Sequence, residues 1–284
     1  MKYIDDFKDY QILDMANGEK LERWGNITLV RPDPQIIWPN KKHPELWNKV
    51  DAYYHRSNKG GGSWEIFNHR LDNWQVNNRD LTFNLKLMGF KHTGLFPEQA
   101  YNWNYLDQII EPGDKVLNLF AYTGAASVKA LSLGASVVHV DSSKGMVDWA
   151  KENVNASGLS DKPIRFLIDD VVKFVKREIR RGNKYDVIIL DPPSFGRGSN
   201  GEVWDIEKDL FNLMSDISLL LSDKAKMVLI NSYTTGLSKT VLENVLKMTI
   251  NEVIPGNIES DEIGIMDHDH DLILPCGIYA RWTR

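Results

Sequence analysis

Cysteine is almost absent from this sequence, and long apolar runs are missing altogether. Its 284 residues include one cysteine, Cys276, which excludes a disulfide framework within the chain and a cysteine-rich metal site. No apolar run approaches the ~18 residues that a membrane-spanning helix needs. The first ten residues, MKYIDDFKDY, lack the apolar stretch of a secretory signal. We therefore expect a protein of a reducing, cytoplasmic compartment that has no membrane partner.

An excess of basic residues is also missing. The formal net charge is −5, so no global positive field attracts nucleic acid, although a local basic stripe is enough for binding. With 42% hydrophobic and 26% charged residues, the composition is typical of a soluble globular protein. The length allows one large domain with a smaller accessory domain.

The character of the sequence changes near residues 90 to 95. Before this point, short alternating stretches broken by Asn-Gly and Asn-Asn pairs predict antiparallel strands and hairpins. After it, continuous apolar strands alternate with amphipathic helices, which is typical of a parallel sheet covered on both faces. We predict a small antiparallel β-rich domain over residues 1–90 and an α/β, Rossmann-like domain over residues 91–284, with helices on both faces of its sheet.

Successive predicted strands of the α/β part end in polar groups. SVVHVD ends at Asp141, IRFLID ends at Asp169 with Asp170 following, and YDVIILD ends at Asp191. The carboxyl ends of parallel strands share one sheet edge, where ligands bind in open α/β sheets. There, a carboxylate after the second strand can accept ribose hydroxyls, and one after the third can accept the exocyclic amine of adenine.

The first strand, KVLNLF, runs into the small-residue turn AYTGAAS. Small residues let a ligand approach the backbone closely. The turn contains one glycine, Gly124, and does not match the G-x-G-x-x-G pattern of a dinucleotide site. This departure disfavours a nicotinamide-dependent oxidoreductase.

The fourth strand is followed by two prolines, in the segment DPPSF. Proline cannot donate to a strand ladder, so the strand must end near Asp191. The rigid turn fixes the Asp191 carboxylate and the Pro192 carbonyl, which can accept hydrogen bonds from an exocyclic amine or a ring N–H. Phe195 either stacks on a nucleic-acid base or packs the loop.

Together these motifs resemble the class I S-adenosylmethionine-dependent methyltransferases. More narrowly, they resemble the group that contains the large-subunit ribosomal RNA cytosine-C5 and guanine-N7 methyltransferases. The resemblance covers roughly residues 85 to 284 and rests on VLNLFAYTGAAS, VVHVDSSKGMVDWAKENV, FLIDDV, VIILDPPSFGRG and the preceding TGLFPEQ. It implies S-adenosylmethionine as the cofactor and RNA, ribosomal RNA in the first place, as the substrate. The N-terminal domain would then recognise that substrate.

The resemblance also implies which residues surround the cofactor. Phe96 and Gln99 precede the first strand and would flank the cofactor. The loop under the methionine moiety would consist of Asn118, Ala121, Tyr122, Thr123 and Gly124.

The resemblance places the other cofactor-binding residues at the later strand ends. Asp141 and Ser142 would lie at the ribose. Asp170, or Asp169 in its place, would accept the adenine amine, and Asp191 would lie where the methyl group leaves sulfur. The implied catalytic residues are Asp191, Pro192 and Phe195.

One position departs from this pattern. Cytosine-C5 members attack the base with a cysteine, which in that branch follows the fifth strand. Here the segment reads INSYTTGLS, beginning at Ile230, and Cys276 is predicted to be a small core residue. A cysteine-dependent carbon-5 mechanism is therefore disfavoured, which leaves a nitrogen or oxygen acceptor, and a substrate other than RNA, open.

Other signals are ambiguous. His268 and His270 in MDHDHDLIL have the residue types of a metal site, but methyl transfer requires no metal, and we predict none. The basic stretch KFVKREIRRGNK either contacts phosphates or complements a helix dipole. A non-catalytic RNA-binding protein on a methyltransferase fold is the remaining alternative. The sequence does not indicate an oligomeric state.

Overall fold

The protein is described by a computed structural model over residues 1–4, 6–57, 61–69, 71–198, 201–267, 269 and 271–284. Its chain forms two compact units. The α/β unit comprises Met1, Asn102–Ile263 and Gly277–Arg284. The β unit comprises Lys2–Tyr101 and Gly264–Cys276. A short segment near the C-terminus therefore belongs to the unit built mainly from the first third of the sequence.

The β unit is built largely from antiparallel strands, as predicted. Its first strands are β1 (Lys2–Ile4), β2 (Tyr10–Ala16), β3 (Glu19–Trp24), β4 (Ile27–Pro32), β5 (Ala52–Arg56), β6 (Gly62–Ile66), β7 (Trp74–Asn78) and β8 (Leu81–Leu85). Strands β2 to β6 form one sheet in chain order, and β7 pairs with β8 in a second. The β4–β5 pair is parallel rather than antiparallel.

The Asn-Gly pair of the sequence forms the turn between β2 and β3. Asn17 and Gly18 have φ values of 54° and 76°, as a two-residue turn of type I′ requires. Three short 3-10 segments also occur: Leu46–Asn48, Pro97–Gln99 and Leu106–Gln108.

Strands and helices alternate through the rest of the chain. The elements are α1 (Ala100–Tyr105), β9 (Lys115–Leu119), α2 (Ala125–Ser132), β10 (Ser136–Asp141), α3 (Lys144–Ala156), β11 (Ile164–Ile168), α4 (Val171–Arg181), β12 (Val187–Leu190), β13 (Phe195–Arg197), β14 (Val203–Asp205), α5 (Ile206–Ser218), β15 (Met227–Ser232), α6 (Lys239–Met248), α7 (Ile250–Val253), β16 (Asn257–Asp267) and β17 (Leu272–Thr283).

The main sheet of the α/β unit has the strand order β16-β17-β15-β12-β9-β10-β11. Strands β15, β12, β9, β10 and β11 are parallel, and β17 is antiparallel to β15. The chain proceeds from β9 outward through β10 and β11, and then returns to β12 on the other side of β9. The order therefore reverses between β9 and β12.

Both faces of this sheet are covered by helices. Successive side chains of a strand point to opposite faces, so neighbouring residues of β9 contact different helices. Leu117 of β9 joins a core cluster with Phe174 of α4 and Leu213 of α5. The neighbouring Asn118 contacts Ser127 of α2 instead. The predicted Rossmann-like architecture with an additional β-rich part is confirmed. Within the described part of the chain, no helix is long and apolar enough to cross a membrane.

Candidate active site

Three neighbouring strands end side by side at the carboxyl edge of the main sheet. Leu119 of β9 pairs with Val140 of β10 on one side and with Leu190 of β12 on the other. The residues that come next, Asp141 and Asp191, therefore stand at the same edge. The Asp191 N–H donates to the Leu119 carbonyl at 3.3 Å. The reversal of strand order between β9 and β12 makes this edge the switch point at which open α/β sheets bind ligands.

The loop between β9 and α2 has a strained backbone. Phe120 and Tyr122 have φ values of 52° and 50°, a left-handed conformation that costs a residue other than glycine about 1–3 kcal/mol. The Ala121 N–H donates to the Val140 carbonyl at 3.0 Å. The Tyr122 N–H donates to Oδ2 of Asp141 at 2.8 Å. The end of β10 thus fixes the loop in a conformation that the chain alone would not favour.

Gly124 completes this loop and is the residue before α2. Its φ is +82°, and a Cβ at this position would lie 2.9 Å from Cβ of Ala150 and 3.3 Å from Cε1 of His139. A larger residue would therefore force the loop away from the sheet. Because glycine offers no side chain to cap the helix, the first N–H groups of α2 are available to a ligand.

Asp141 is held by backbone groups. Its Oδ2 accepts from Tyr122, and its Oδ1 accepts from the Ser143 N–H at 2.8 Å. Burial raises the pKa of Asp141 above its ordinary value, while these two N–H groups act in the opposite direction. Each carboxylate oxygen keeps acceptor capacity for a further donor such as a ribose hydroxyl. Ser142 beside it is exposed.

Asp169 and Asp170 follow β11 at the same edge. The Asp169 N–H donates to the Asp141 carbonyl at 3.0 Å, and its carboxylate is paired with Arg177. Asp170 caps α4, because its Oδ1 accepts from the Lys173 N–H at 2.9 Å. Both side chains therefore already have a partner in α4, and both are partly exposed.

A buried polar chain lies beneath the loop. Nδ2 of Asn118 donates to Oγ of Ser127 at 2.9 Å, and Ser127 contacts Nδ1 of His139 at 3.0 Å. Burial lowers the pKa of His139 to about 3, so the ring is neutral at physiological pH, and its tautomer sets which of Ser127 Oγ and His139 Nδ1 is the donor. Asn118 is thus placed within the sheet rather than in the loop. Sequence reasoning missed Ser127 and His139, although a histidine inside the apolar strand SVVHVD was a visible signal.

Thr123, also predicted in the loop, is buried. Its carbonyl accepts from Nδ2 of Asn153 in α3 at 2.8 Å. This bond ties the end of the loop to the helix that follows β10. The loop is therefore fastened at its start by β10 and at its end by α3.

The Asp-Pro-Pro turn is firmly braced. Pro192 is buried and Asp191 is partly exposed. The Pro193 carbonyl accepts from Nε1 of Trp204 at 2.7 Å, and Oγ of Ser194 contacts Oγ1 of Thr234 at 2.7 Å. The latter contact links the loops that follow β12 and β15.

Phe195 begins β13 directly after this turn. Its side chain is 55% exposed, so most of the ring is open to solvent. This exposure favours stacking on a ligand over the alternative that Phe195 packs the loop.

The end of β15 carries no thiol. Asn231 is buried, and its Oδ1 accepts from Nδ2 of Asn102 at 2.9 Å. Cys276 belongs to the β unit, where its Sγ lies 3.5 Å from the Leu274 carbonyl. Burial and, after it, the charge of Glu98 raise the pKa of the Cys276 thiol well above its ordinary value. A raised pKa leaves less of the nucleophilic thiolate.

Two residues predicted to flank the cofactor lie in the β unit. Phe96 precedes the 3-10 segment Pro97–Gln99, and its ring centroid is 5.3 Å from that of His92. Gln99 is buried. Both residues therefore belong to the β unit, and the strand ends described above belong to the α/β unit.

One of the two ambiguous signals, the basic stretch, can be placed in the structure. The basic stretch forms α4, which begins at the carboxyl edge after Asp170 and runs back, so that Arg180 and Arg181 lie toward the opposite edge. His268 and His270 fall outside the described residues. Among those that are described, no group of three or more His, Cys, Asp and Glu side chains is arranged to hold a metal ion.

Comparisons with known proteins point to one family. Residues 49–249 match the model of the family described as S-adenosylmethionine-dependent methyltransferase. The ribosomal RNA large subunit methyltransferase K/L of Shewanella baltica is 32% identical over 257 residues, which are 87% of this chain and 34% of that protein. The chain thus spans about a third of the length of the curated relatives that it matches.

Solved structures of similar fold agree with this family match. A SAM-dependent methyltransferase from Agrobacterium tumefaciens superimposes with a TM-score of 0.92 at 34% identity, covering 99% of this chain and 92% of that one. A protein from Streptococcus mutans has a TM-score of 0.72 at 18% identity, covering 98% and 76% of the two chains, and shares the fold.

Proposed function

Because the chain belongs to the S-adenosylmethionine-dependent methyltransferase family, we propose that it transfers the methyl group of this cofactor to a base in RNA. The observation that carries this proposal is the carboxyl edge of the main sheet. There, a strained loop and Asp141 adjoin a rigid turn that carries Asp191 and the exposed Phe195. The first group suits a cofactor, and the second suits a planar acceptor.

The residues of this edge fit S-adenosylmethionine. Gly124 lets the loop lie close against Ala150 and His139, where a Cβ would collide, and its N-cap position leaves the first N–H groups of α2 to the methionine carboxylate. Asp141 offers carboxylate oxygens to the ribose hydroxyls, and Asp170, or Asp169 in its place, offers an acceptor to the adenine amine. The bound cofactor supplies an activated methyl group on a sulfonium, so the protein needs chiefly to align the acceptor behind it.

Asp191 and Phe195 would align this acceptor. The Asp191 carboxylate and the Pro192 carbonyl accept hydrogen bonds from an exocyclic amine or a ring N–H of a base. Phe195 would stack on the base and fix its plane, a contact worth roughly 1–3 kcal/mol in single-strand binding. The bracing of the turn by Trp204 and Thr234 keeps these groups in place without the ligand.

RNA is the proposed substrate because the Shewanella baltica relative is named for ribosomal RNA and because the exposed aromatic side chain suits a base. A buried Asn231 at the end of β15 and a thiol with a raised pKa at Cys276 favour an acceptor that needs no covalent enzyme adduct. We further propose that the β unit contributes to substrate recognition and that the protein acts in the cytoplasm, where ribosomal RNA is found.

Methyl transfer to RNA from cells that lack the gene tests the proposal. Wild-type protein and S-adenosylmethionine with a labelled methyl group should label this RNA, whereas RNA from cells with the gene should take up little label. Mapping of the labelled nucleotide would then identify the acceptor atom. Absence of label in both RNA samples, together with intact binding of S-adenosylhomocysteine, would show that the substrate is not RNA.

A further inference from the structure

The ribbon formed by β13 and β14 has one face on which Phe195 alone has been given a role above. The two strands are antiparallel, with Phe195 opposite Asp205, Gly196 opposite Trp204 and Arg197 opposite Val203. Since side chains alternate along a strand, Phe195, Arg197, Val203 and Asp205 share one face, which we call the outer face. Gly196 and Trp204 share the inner face.

The inner face fixes the ribbon to the α/β unit. Trp204 is buried, its Nε1 donates to the Pro193 carbonyl at 2.7 Å, and its ring centroid lies 5.0 Å from that of Phe120. The Ile206 N–H donates to the Ser194 carbonyl at 3.1 Å. The ribbon is therefore a rigid extension of the Asp-Pro-Pro turn.

The outer face is open to solvent. Phe195 is 55% and Val203 is 58% exposed, and Arg197 is exposed as well. The Arg197 guanidinium carbon lies 5.9 Å from the centroid of the Phe195 ring. The face thus combines an aromatic ring, an apolar side chain, a guanidinium and the half-buried Asp205 carboxylate within one short ribbon.

The charge of Arg197 is not neutralised by the residues that the structure describes. The acids of the ribbon have other partners: Glu202 contacts Lys173 at 2.5 Å, and Asp205 contacts Lys208 at 2.6 Å. No ion pair joins Arg197 to a carboxylate within the described ranges, which lack residues 199–200 next to it. An unpaired cation beside an exposed aromatic ring matches a phosphate beside an unstacked base.

We propose that the outer face of this ribbon binds the single-stranded RNA that adjoins the acceptor base, with Arg197 pairing with a backbone phosphate. This inference rests on the proposed function and adds a phosphate site to it. Val203 would cover the apolar edge of a neighbouring nucleotide. A net charge of −5 repels RNA overall, so a local cation at the site of chemistry would place the strand. A second copy of the chain is a less suitable occupant of this face. A two-fold contact would place the same patch of both copies face to face and bring two unneutralised Arg197 side chains together.

Binding of a labelled RNA over a range of salt concentrations tests the phosphate contact. The probe is a fluorescein-labelled single-stranded RNA of mixed sequence, about 12 nucleotides long, with S-adenosylhomocysteine present throughout. One phosphate contact in a single strand contributes about 0.7 to the slope of log K against log salt. Arg197→Ala should reduce the slope by that amount and weaken binding, whereas Arg197→Lys should restore most of the slope.

Two further variants separate stacking from charge. Phe195→Ala should weaken binding by roughly 5- to 100-fold and leave the slope unchanged, because it removes no charge. Arg180→Ala is the matched control, since Arg180 is an exposed arginine of the same unit toward the other sheet edge. It should change neither quantity. In methyl transfer, Arg197→Ala should raise KM for RNA and leave KM for S-adenosylmethionine unchanged.

The outcomes distinguish this inference from the function on which it rests. If the wild type labels RNA but Arg197→Ala has the same slope and KM as the wild type, the phosphate site is wrong and the function stands. If the wild type neither binds nor labels RNA, both are wrong. A concentration-dependent dimer in sedimentation that Arg197→Ala abolishes, with RNA binding unchanged, would assign the outer face to a second copy and overturn the inference.

Discussion

The β unit buries the Glu22 carboxylate and the α/β unit half-buries that of Asp141, and the two are held in opposite ways. In the β unit, Glu22 is fully buried and accepts two bonds from Arg31, at 2.6 and 2.7 Å, and one from the Tyr10 hydroxyl at 2.6 Å. Lys20 lies 3.7 Å away. In the α/β unit, Asp141 accepts only from backbone N–H groups, and no ion pair is formed with it by any residue the structure describes.

The pKa values of these acids diverge accordingly. Burial alone would raise the pKa of Glu22, but the charges of Arg31 and Lys20 and the hydrogen bonds lower it from 4.5 to about 2. Burial raises the pKa of Asp141, and its backbone partners do not reverse the change. A buried acid that is paired with cations cannot lose a partner without a large cost in stability. A half-buried acid at the edge of a sheet, with no cation partner among the described residues, is a candidate for ligand binding.

The largest expected effect is on stability. Glu22→Ala should lower the free energy of unfolding by about 3–5 kcal/mol, because it leaves the buried Arg31 without its counter-charge. Urea denaturation at neutral pH measures this change. Glu65→Ala is the control, since Glu65 is exposed in the same sheet and pairs with the exposed His55. Equal losses in the two variants would contradict the structural role of Glu22.

The next effect concerns turnover. Asp191→Ala should lower kcat by about 100-fold, because loss of a positioning contact misaligns the acceptor, while most of the affinity for the cofactor remains. Single-turnover methyl transfer and calorimetric titration with S-adenosylhomocysteine measure the two quantities. Asp191→Asn keeps the size of the side chain and tests the charge alone. Near-normal kcat in the alanine variant would make the turn purely structural.

Replacement of Asp141, at the end of β10, should weaken cofactor binding. Asp141→Ala should weaken binding of S-adenosylhomocysteine by roughly 10- to 100-fold, because hydrogen bonds to a charged acceptor are worth about 1.5–3 kcal/mol. Asp148→Ala is the control, since Asp148 is a surface residue of α3 that pairs with Lys144 and Lys151. Unchanged affinity in Asp141→Ala would refute the assignment of the ribose site to the end of β10.

Acid should destabilise the protein through Glu22. The folded pKa of Glu22 lies below its ordinary value, so its contribution is complete above about pH 4.5 and is lost as the pH falls toward about 2. At pH 3 the loss should reach about 2 kcal/mol. Urea midpoints measured from pH 6 to pH 3 test this expectation. Glu22→Gln, which cannot ionise, should show a shallower pH dependence; an equally steep one would assign the acid sensitivity to other groups.

The smallest effect is expected at Cys276. Cys276→Ser should leave methyl transfer essentially unchanged, because the half-buried thiol belongs to the β unit, its pKa is raised and no covalent step is proposed. A folded variant, as judged by circular dichroism, that has lost all activity would reinstate a cysteine-dependent mechanism.

Local patterns were enough to predict the α/β architecture. Continuous apolar strands alternating with amphipathic helices leave a parallel sheet as the solution that buries both faces. Prolines after Asp191 end β12, and the Asn17–Gly18 pair makes the turn that its backbone preferences favour. Each of these features is set by residues that are adjacent in the sequence, so it can be predicted from the sequence alone.

Contacts between distant segments could not be predicted in the same way. The parallel pairing of β4 with β5, the strand β16 and the place of Gly264–Cys276 in the β unit all follow from packing between remote parts of the chain. Local propensity does not encode such partners. The exposure of Phe195 and the open outer face around Arg197 likewise became visible only in the folded structure.

The sequence by itself determined that polar side chains end the parallel strands, because strand ends and turns are set by local residue types. Only the tertiary structure decided which groups surround each acid. Glu22 acquires Arg31 as a partner from another strand, whereas Asp141 acquires the N–H of a strained loop. The energy of a charge inside a protein depends on the groups that pack around it. Those groups come from distant segments of the chain, so a short stretch of sequence does not identify them.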